Sequence, residues 1–565
     1  MTHNIIKNKT PLNRLKRGLF WKLLFFGLIL FFISQNFGCA NMQRPTGGPK
    51  DTIPPKILEM YPDNFSTNFT EEEIIITFDE FVKLNNQFSE FSISPDTETQ
   101  PIYKVKKKDL HITLPDSLDE NTTYSLNFGE GLVDFNEGNK LRNFVYVFST
   151  GDELDSLTIS GSVKDGFKKE FDYKDDEDVK ILLIPTHQDS IFGKSKANIF
   201  TSVDTLGNFK FSNLREDTYR IYALKEEDNN RIYNGGDESI GFLKDSIVLS
   251  GDTSGIELEY TQGFSENFRV IDRKIDNKGF LSLAFNKPLI NPEINILDDD
   301  YLNESKIVWF TAENDSSKIF LENFDFDSVR LEIIDENEPL DTIQLRKPRN
   351  LKLDRKIEPE FSISNKVDKV KHIRITSNFP IEDMDKSKVI ITEDSVKVTR
   401  FSLQKDTLHK NSYWLRYNWK PKKEYELTIE EGAIVGAFET SNEDKKLNFT
   451  LDESDNYGDI HFKISGLDSE EQYIIEVTDE KKENVYDRKI VTGEEVNEIS
   501  YLNFMGGKYT LRVLWDQNKN GRWDPGNVYT KKQAEPIWYF DKVFTVRANW
   551  EQNDEINVTF DSQNP

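Results

Sequence analysis

The chain has 565 residues, a length that predicts roughly three to five domains rather than one. Its formal net charge of −27 argues against a nucleic-acid partner, because a phosphate backbone needs a basic face. Six His and one Cys leave little material for histidine-based catalysis, thiolate metal sites or disulfides, so the composition disfavours most classes of enzyme.

The first 38 residues have the layout of a secretory signal peptide. A basic region lies ahead of the apolar run Leu23–Ile33, and a small residue, Gly38, ends the segment. Eleven apolar residues are too few to span a bilayer of about 30 Å, which takes about 20 residues. An uncleaved anchor helix that begins near Leu19 is the alternative, and Lys22 within the apolar stretch counts against it.

The only cysteine, Cys39, directly follows Gly38. This arrangement resembles a bacterial lipobox, although Asn36 and Phe37 depart from the usual residues of that motif. The resemblance implies cleavage before Cys39 and the attachment of diacylglycerol and an amide-linked acyl chain such as palmitate, which is enough for stable membrane anchoring. Residues 39–51 are rich in Pro and Gly, and they predict a lipidated tether ahead of the first domain.

After residue 52 the chain consists of short apolar or alternating runs separated by polar turn clusters. Examples of such runs are Ile74–Phe78, Leu110–Leu114, Tyr124–Phe128 and Val145–Phe148. Strands at a spacing of roughly 8–12 residues predict an all-β chain of tandem β-sandwiches.

Residues 52–151 carry four sequence pieces in a defined order. They are Ile53–Asn64, Ile76–Glu80, Asn121–Tyr124, and Asp134–Asn139 followed by Phe148–Gly151. Their order and spacing resemble the bacterial Ig-like domain first described in surface-layer proteins, which implies a β-sandwich. Ala284–Leu289 and Thr376–Ile381 occupy the place of Thr77–Val82, so we expect a divergent Ig-like domain at 263–355 and another at 356–453.

An internal repeat relates two other stretches at an offset of 290 residues. Phe211–Asp237 aligns with Tyr501–Asn527 without gaps, and the identical pairs are Asn213/Asn503, Tyr219/Tyr509, Leu224/Leu514, Asn230/Asn520 and Gly236/Gly526. Such self-similarity indicates two copies of one unit. The pattern resembles transthyretin-like or carboxypeptidase-regulatory-like sandwiches, which implies units at 152–262 and 454–565.

A candidate Ca²⁺ site begins at Asp516. Asp516, Asn518, Asn520 and Asp524 fit the start of an EF-hand-type loop, in which alternate oxygen ligands surround a hard cation. Asn527 stands where the bidentate acid is expected, and a hairpin whose Asx turns bond their own backbone is the alternative. In the sister loop, Glu226–Asn230, Arg231 replaces the glycine of the turn, so we expect that copy to have lost any ion.

No Gly-rich phosphate loop, nucleophile elbow or HExxH motif is present, so the sequence predicts no catalytic residue and no enzyme. Tryptophans crowd the last third of the chain: Trp414, Trp419, Trp515, Trp523, Trp538 and Trp550. Exposed aromatic side chains stack on sugars, whereas sandwich cores also use Trp, and the core is the expected place for most of these residues.

These features together resemble Bacteroidota outer-membrane lipoproteins with Ig-like modules. The resemblance implies a non-catalytic scaffold or accessory subunit of an outer-membrane protein complex, such as β-barrel assembly, secretion or transport machinery. The cell surface is the preferred face over the periplasm, although Ala40–Arg44 lack the acids that usually direct surface export. The alternative function is surface glycan binding or adhesion, with Trp523 as a test position.

Overall fold

The computed structural model describes residues 50–560, except 237, 370, 407–410, 453–455 and 494–497. The predicted signal peptide (1–38), Cys39 and nearly all of the tether therefore lie outside the described residues. Strands dominate the described part of the chain and its longest helices span six residues, so the prediction of an all-β fold of β-sandwiches is confirmed. None of its helices has the length and apolar character needed to cross a membrane.

Module 1 (residues 57–149) packs the sheet β1-β2-β6-β5 against the sheet β4-β7-β9 and the pair β3-β8. Alternate side chains of a strand point to one face, so β2 buries Ile74, Ile76 and Phe78 in the core between them. The elements are β1 (Ile57–Tyr61), β2 (Glu73–Phe78), β3 (Val82–Leu84), α1 (Gln87–Glu90), β4 (Ser92–Ser94), β5 (Ile102–Lys106), β6 (Asp109–Thr113), β7 (Thr123–Asn127), β8 (Leu132–Asp134) and β9 (Val145–Ser149).

Module 2 (residues 157–262) forms one sheet in the order β12-β11-β14-β15-β17-β10-β13, with β16 paired to β14. Strand β11, next to the edge strand β12, is buried along its whole length, as expected for a strand covered on both faces. The elements are β10 (Leu157–Asp165), α2 (Tyr173–Asp176), β11 (Val179–Pro185), a 3₁₀ helix (Thr186–Ile191), β12 (Ile199–Ser202), β13 (Asn208–Leu214), β14 (Asp217–Lys225), β15 (Ser239–Phe242), β16 (Ile247–Leu249) and β17 (Thr253–Gln262).

Module 3 (residues 270–346) packs the sheet β18-β19-β22-β21 against β20-β23-β24. Its elements are β18 (Val270–Asp276), β19 (Phe280–Phe285), β20 (Pro292–Ile296), α3 (Asp300–Ser305), β21 (Ile307–Phe310), β22 (Ser316–Phe320), β23 (Ser328–Asp335) and β24 (Glu338–Arg346). Phe320 packs edge-on against Phe379 at 4.7 Å between ring centroids, so this module shares apolar contacts with the next one.

Module 4 (residues 356–451) has three sheets, β25-β36-β35-β29, β26-β28-β33-β32 and β27-β37-β34-β30-β31. Its elements are β25 (Lys356–Ile357), β26 (Pro359–Phe361), β27 (Lys366–Val367), β28 (Ile373–Ser377), β29 (Ile381–Met384), a 3₁₀ helix (Lys386–Lys388), β30 (Val389–Glu393), β31 (Val396–Lys397), β32 (Ser402–Lys405), β33 (Ser412–Arg416), β34 (Glu424–Ile429), β35 (Ile434–Gly436), β36 (Thr440–Asn442) and β37 (Lys445–Leu451).

Module 5 (residues 457–557) packs the sheet β41-β38-β45 against β40-β39-β42-β43, with β44 paired to β42. Its elements are β38 (Tyr457–Ser465), β39 (Gln472–Asp479), β40 (Val485–Thr492), β41 (Glu498–Met505), β42 (Gly507–Asp516), β43 (Ile537–Tyr539), β44 (Phe544–Val546) and β45 (Glu551–Asn557).

Modules 2 and 5 share one pattern of strand pairing. In each module the first strand pairs antiparallel with one neighbour and parallel with the last strand: β10 with β13 and β17, and β38 with β41 and β45. The identical residues Asn213 and Asn503 both adopt left-handed backbone, with φ of 58° and 57°, beside a register shift of the first strand. Asn tolerates that conformation better than most residues, which explains the identity at this position.

Candidate functional site

The four predicted Ca²⁺ ligands lie in the loop between β42 and β43. Asp516 is 0% exposed, and its carboxylate accepts the backbone N–H groups of Asn520 at 3.1 Å and Gly521 at 2.7 Å. The side-chain amides of Asn518 and Asn520 both donate to the carboxylate of Asp524. The loop therefore closes through its own hydrogen bonds, in the manner of the Asx-turn alternative.

A further acid, Glu535, completes this loop and was missed by sequence reasoning. Its carboxylate is buried and accepts the backbone N–H groups of Gln517 and Asp524, each at 2.9 Å. Burial, aided by the carboxylates of Asp524 and Asp516, raises the pKa of Glu535 to about 7. Within the described residues no group of three or more His, Cys, Asp or Glu side chains is placed to hold a metal ion. The Ca²⁺ site therefore stays a prediction.

The sister loop of module 2 has the same hydrogen-bond frame. Glu226 accepts the backbone N–H groups of Asn230 at 2.7 Å and Arg231 at 2.6 Å, the positions equivalent to Asn520 and Gly521. Glu238 follows the loop as Glu535 does, and it accepts the backbone N–H of Asn234 at 2.6 Å. Burial raises the pKa of both Glu226 and Glu238.

The Arg231 side chain extends from its loop to module 1. Its φ of 58° lies in the same left-handed region as the 80° of Gly521, so the turn forms without glycine. The guanidinium leaves the loop, stacks 4.0 Å from the Phe200 ring centroid and donates to the Phe91 carbonyl of module 1 at 3.2 Å. Arg231 therefore joins two modules, and its charge still interacts with the loop carboxylate of Glu226.

The loop of module 5 also docks on module 2. Val528 joins an apolar cluster on the outer face of the module 2 sheet, which includes Tyr222 and Phe242. Beside it, the Lys531 ammonium donates to the Tyr222 hydroxyl at 3.3 Å, and the Gln533 amide donates to the Phe242 carbonyl at 3.0 Å. Module 5 thus covers apolar surface of module 2 from far along the chain.

The contact is reciprocal, because Phe167 of module 2 packs on the outer face of the module 5 sheet. Its ring lies edge-on to Trp523 at 4.9 Å between centroids, and the Arg512 guanidinium lies 4.4 Å from its centroid. The Tyr539 hydroxyl and the Lys482 ammonium donate to the carbonyls of Phe167 and the next residue. We call the contacts of Val528 and Phe167 together the clasp.

Module 1 covers the edge strand β12 of module 2. Its polar side chains bond alternate backbone groups of that strand: Ser92 Oγ donates to the Asn198 carbonyl (2.7 Å), Asn127 Nδ2 to the Phe200 carbonyl (2.6 Å), and Asn143 bonds the N–H (3.0 Å) and carbonyl (3.2 Å) of Ser202. A cleft of 840 Å³ opens beside this joint, and Asn127 and Asn143 are among its lining residues. These amides are therefore committed to holding the two modules together.

Buried charges lie within the same joint. The Lys180 ammonium is 3.9 Å from the Glu90 carboxylate, and both side chains are buried. Arg231 is 2% exposed, and burial lowers its pKa to about 10 against the opposing influence of Glu90 and Glu226. Separating the modules would leave these groups without their partners, so the joint has one preferred arrangement.

The tryptophans are distributed mainly in packing positions. Trp419 is buried, and Trp523 is half-buried in the clasp with its indole N–H donating to the Glu535 carbonyl at 2.8 Å. Among the tryptophans that the structure describes, Trp550 is the strongly exposed one, at 64%, with the Arg547 guanidinium 5.4 Å from its ring centroid. Trp523 therefore serves the clasp rather than an open aromatic platform.

Residues 51–150 match the family model of the bacterial Ig-like domain, so this segment is a bacterial Ig-like domain and the resemblance is confirmed for it. The chain shows low-identity similarity to the S-layer protein rSbsC(31-844), at 12% identity and a TM-score of 0.14, over 87% of this chain and 66% of that one. It is also similar to the Bacillus anthracis TIE protein, at 10% identity and a TM-score of 0.13, over 91% of this chain and 76% of that one.

A third similar structure is BcpA*(D312A), the major pilin subunit of Bacillus cereus, at 9% identity and a TM-score of 0.13, over 72% of this chain and 99% of that one. No curated protein matches the chain.

Proposed function

We propose that the protein is a non-catalytic, lipid-anchored outer-membrane lipoprotein that acts as a scaffold or accessory subunit of an outer-membrane protein complex. The clasp is the observation that carries this proposal. Phe167 and Val528 tie module 5 to module 2, and Asn127 and Arg231 tie module 1 to module 2. A body with such internal contacts holds its binding surfaces at set distances, which is what a scaffold requires.

The anchor of this proposal is Cys39, which lies ahead of the described residues. The tether enters module 1 at a defined place, because Asn139 Nδ2 donates to the Ile53 carbonyl at 3.2 Å and the Lys56 N–H donates to Asp79 at 2.8 Å. Residues 39–51 reach at most about 47 Å when extended, so module 1 would stay close to the membrane. The cell surface is the face that we propose.

Contact surfaces for partners are available on module 1. Phe81, Phe88 and Phe135 are exposed there, and Phe81 and Phe135 neighbour each other through the Phe135 N–H to Phe81 carbonyl bond of 2.8 Å. Exposed apolar side chains of this kind are typical of protein–protein contact sites. Partners in β-barrel assembly, secretion or transport machinery fit this chemistry.

The test compares the wild type with Cys39→Ala in cells, using membrane fractionation and mass spectrometry of the N-terminal peptide. We expect an acylated Cys39 peptide, and loss of the protein from the outer-membrane fraction in the variant. Cross-linking before mild detergent extraction should recover wild type with membrane proteins. A wild-type chain that is unacylated, or that is monomeric and alone under all conditions, would overturn the proposal.

Glycan binding or adhesion is the second candidate function, favoured by the exposed Trp550 in module 5. An aromatic ring with a guanidinium beside it offers a stacking surface and hydrogen-bond donors to a sugar. Binding to a glycan array that is lost in Trp550→Ala and retained in Trp414→Ala would support it. Equal binding by both variants would remove Trp550 from this role.

A further inference from the structure

Strand β40 of module 5 and strand β12 of module 2 occupy the same place in the two repeats. In module 2, β12 pairs with β11, and β11 pairs with β14. In module 5, β40 pairs with β39, and β39 pairs with β42, the strand that matches β14 in the repeat. The matched series of cross-strand pairs run Ile221–Leu183–Ile199 in module 2 and Leu511–Val477–Asp487 in module 5. Ile199 is therefore equivalent to Asp487, which also aligns Phe200 and Ser202 with Arg488 and Ile490.

The outward backbone groups of β12 are those that module 1 bonds. Asn198, directly before the strand, and Phe200 and Ser202 within it alternate along the chain, and each forms a hydrogen bond with a side chain of module 1. In an antiparallel ladder, alternate residues direct both the N–H and the carbonyl away from the paired strand. The joint between modules 1 and 2 thus uses the outer edge of β12 in register.

The matching edge of β40 lies open. In the part of the chain that the structure describes, β40 pairs with β39 on one side and with no strand on the other. The repeat-matched register places the N–H and carbonyl groups of Arg488 and Ile490 on that outer side, and the register shifts by one residue at Tyr486. Tyr486 is 53% exposed and Ile490 is 51% exposed, so apolar side chains flank the open backbone groups.

We propose that the outer edge of β40 is a strand-addition site, which binds an extended segment of a partner protein. The segment pairs with the backbone of Arg488 and Ile490, the positions that match those of β12 bonded by module 1 side chains. Main-chain hydrogen bonds at an open sheet edge supply affinity, and side chains at alternate positions supply specificity. This proposal rests on the proposed scaffold function, because a scaffold needs a surface that binds its partner protein.

The chemistry of the edge defines the segment. Tyr486 and Ile490 favour apolar residues opposite them, because cross-strand apolar pairs stabilise a sheet. Between them, Arg488 already lies 3.4 Å from Glu476 and 3.7 Å from Glu313, so an uncharged residue suits the position opposite it. The partner segment is therefore extended and uncharged, with apolar residues at alternate positions.

Self-pairing of two β40 strands is disfavoured. An antiparallel pair that places Tyr486 opposite Ile490 of a second copy also places Arg488 opposite its own counterpart, and like charges directly opposite each other are destabilising. Strand β40 carries three charged residues, Asp487, Arg488 and Lys489, whereas β5 exposes Lys104 and Lys106 along its length, a common protection against strand pairing. On β40 the ammonium of Lys489 instead stacks 4.1 Å from the Tyr501 ring centroid.

The test uses the full chain in detergent and a peptide of alternating valine and threonine with a lysine at each end. The control peptide has a proline at its centre. We expect the alternating peptide to slow hydrogen exchange of residues 485–492 by about tenfold or more, and the control peptide to have no effect. The segment around β12 should be unchanged, because module 1 already occupies its edge.

Two variants sharpen the test. Ile490→Pro removes one outward N–H and should weaken peptide binding by about tenfold or more, whereas Ile490→Val keeps the N–H and should bind within about twofold of wild type. Ile490→Lys replaces the proline variant if that variant does not fold. Loss of membrane anchoring would not affect this binding, so failure here is distinguishable from failure of the lipoprotein proposal.

Three outcomes would overturn the proposal. The first is β40 amides that are as protected as those of β39 in the free monomer, and the second is wild-type affinity in Ile490→Pro. The third is protection of β40 that grows with protein concentration as a dimer forms, which would assign the edge to a second copy of the chain.

Discussion

Modules 2 and 5 are two versions of one unit, and they differ in how their edges and loops are used. In module 2, β15 pairs with β17 and joins the strands into one sheet, whereas β43 has no such pairing with β45 in module 5. Module 2 gives the edge of β12 to module 1, and module 5 leaves the matching edge of β40 open. The shared frame sets the fold, and the surroundings decide which surfaces remain free.

Replacing Arg231 of module 2 by glycine, the residue at the equivalent position of module 5, should have the largest effect on the free energy of unfolding. Arg231→Gly removes a buried guanidinium and leaves the buried carboxylates of Glu90 and Glu226 without it, which should cost about 3 kcal/mol of unfolding free energy. Hydrogen exchange in β11 and β14 during a denaturant series measures this cost. Gly521→Ala is the comparison in module 5 and should cost about 1 kcal/mol. A cost below that of Gly521→Ala would contradict the assigned role of Arg231.

The pH dependence of the unfolding free energy should show that the Glu535 carboxyl has a raised pKa in the folded state. Its folded pKa of about 7 lies above the unfolded value of 4.5, so the folded state binds an extra proton between these pH values. The unfolding free energy should therefore fall as pH rises from 4.5 to 7, by at most about 3 kcal/mol from this group.

Glu535→Gln tests this expectation, because the amide resembles the protonated acid and does not titrate. The difference between wild type and variant in urea unfolding should change in favour of the variant as pH rises from 5 to 8. Glu238→Gln in module 2 should change in the same direction, since burial raises that pKa too. A difference that is flat with pH would contradict the raised pKa of Glu535.

Opening the clasp should have an intermediate effect. Phe167→Ala removes the ring between Trp523 and Arg512, and we expect the contact between modules 2 and 5 to lose about 2 kcal/mol, less than for a fully buried Phe. Small-angle X-ray scattering should report a larger radius of gyration, with faster hydrogen exchange at Val528. Leu206→Ala is the matched control, because Leu206 is exposed on module 2. Equal radii for the two variants would show that Phe167 does not hold the modules together.

The smallest effect should be common to both repeats. Asn503→Ala places an alanine in left-handed backbone and should cost about 1 kcal/mol, as should Asn213→Ala. Asn503→Gly should cost less, because glycine has no Cβ to strain. Thermal unfolding of the four single variants, including Asn213→Gly, measures these costs. An alanine variant as stable as its glycine counterpart would contradict the strain that we assign to a Cβ atom in this left-handed backbone.

The sequence predicted the all-β fold from alternating runs, and it predicted the repeat because Asn213 and Asn503 meet the same backbone demand. It did not reveal Glu535, since the second loop is seven residues longer than the first and a fixed offset does not align Glu535 with Glu238. The clasp was equally hidden, because Phe167 and Val528 lie outside the aligned stretch. Contacts between distant segments leave no local periodicity in a sequence.

The clasp also decides how mechanical force would travel through the molecule. A pull between the N-terminal end and a protein held at β40 would pass from module 1 to module 2 and then directly into module 5 through Phe167 and Val528. The covalent route through modules 3 and 4 would bear tension only after the clasp had opened. Modules 3 and 4 would then extend the distance between the two pulled points, but only when the force exceeds what the clasp can resist.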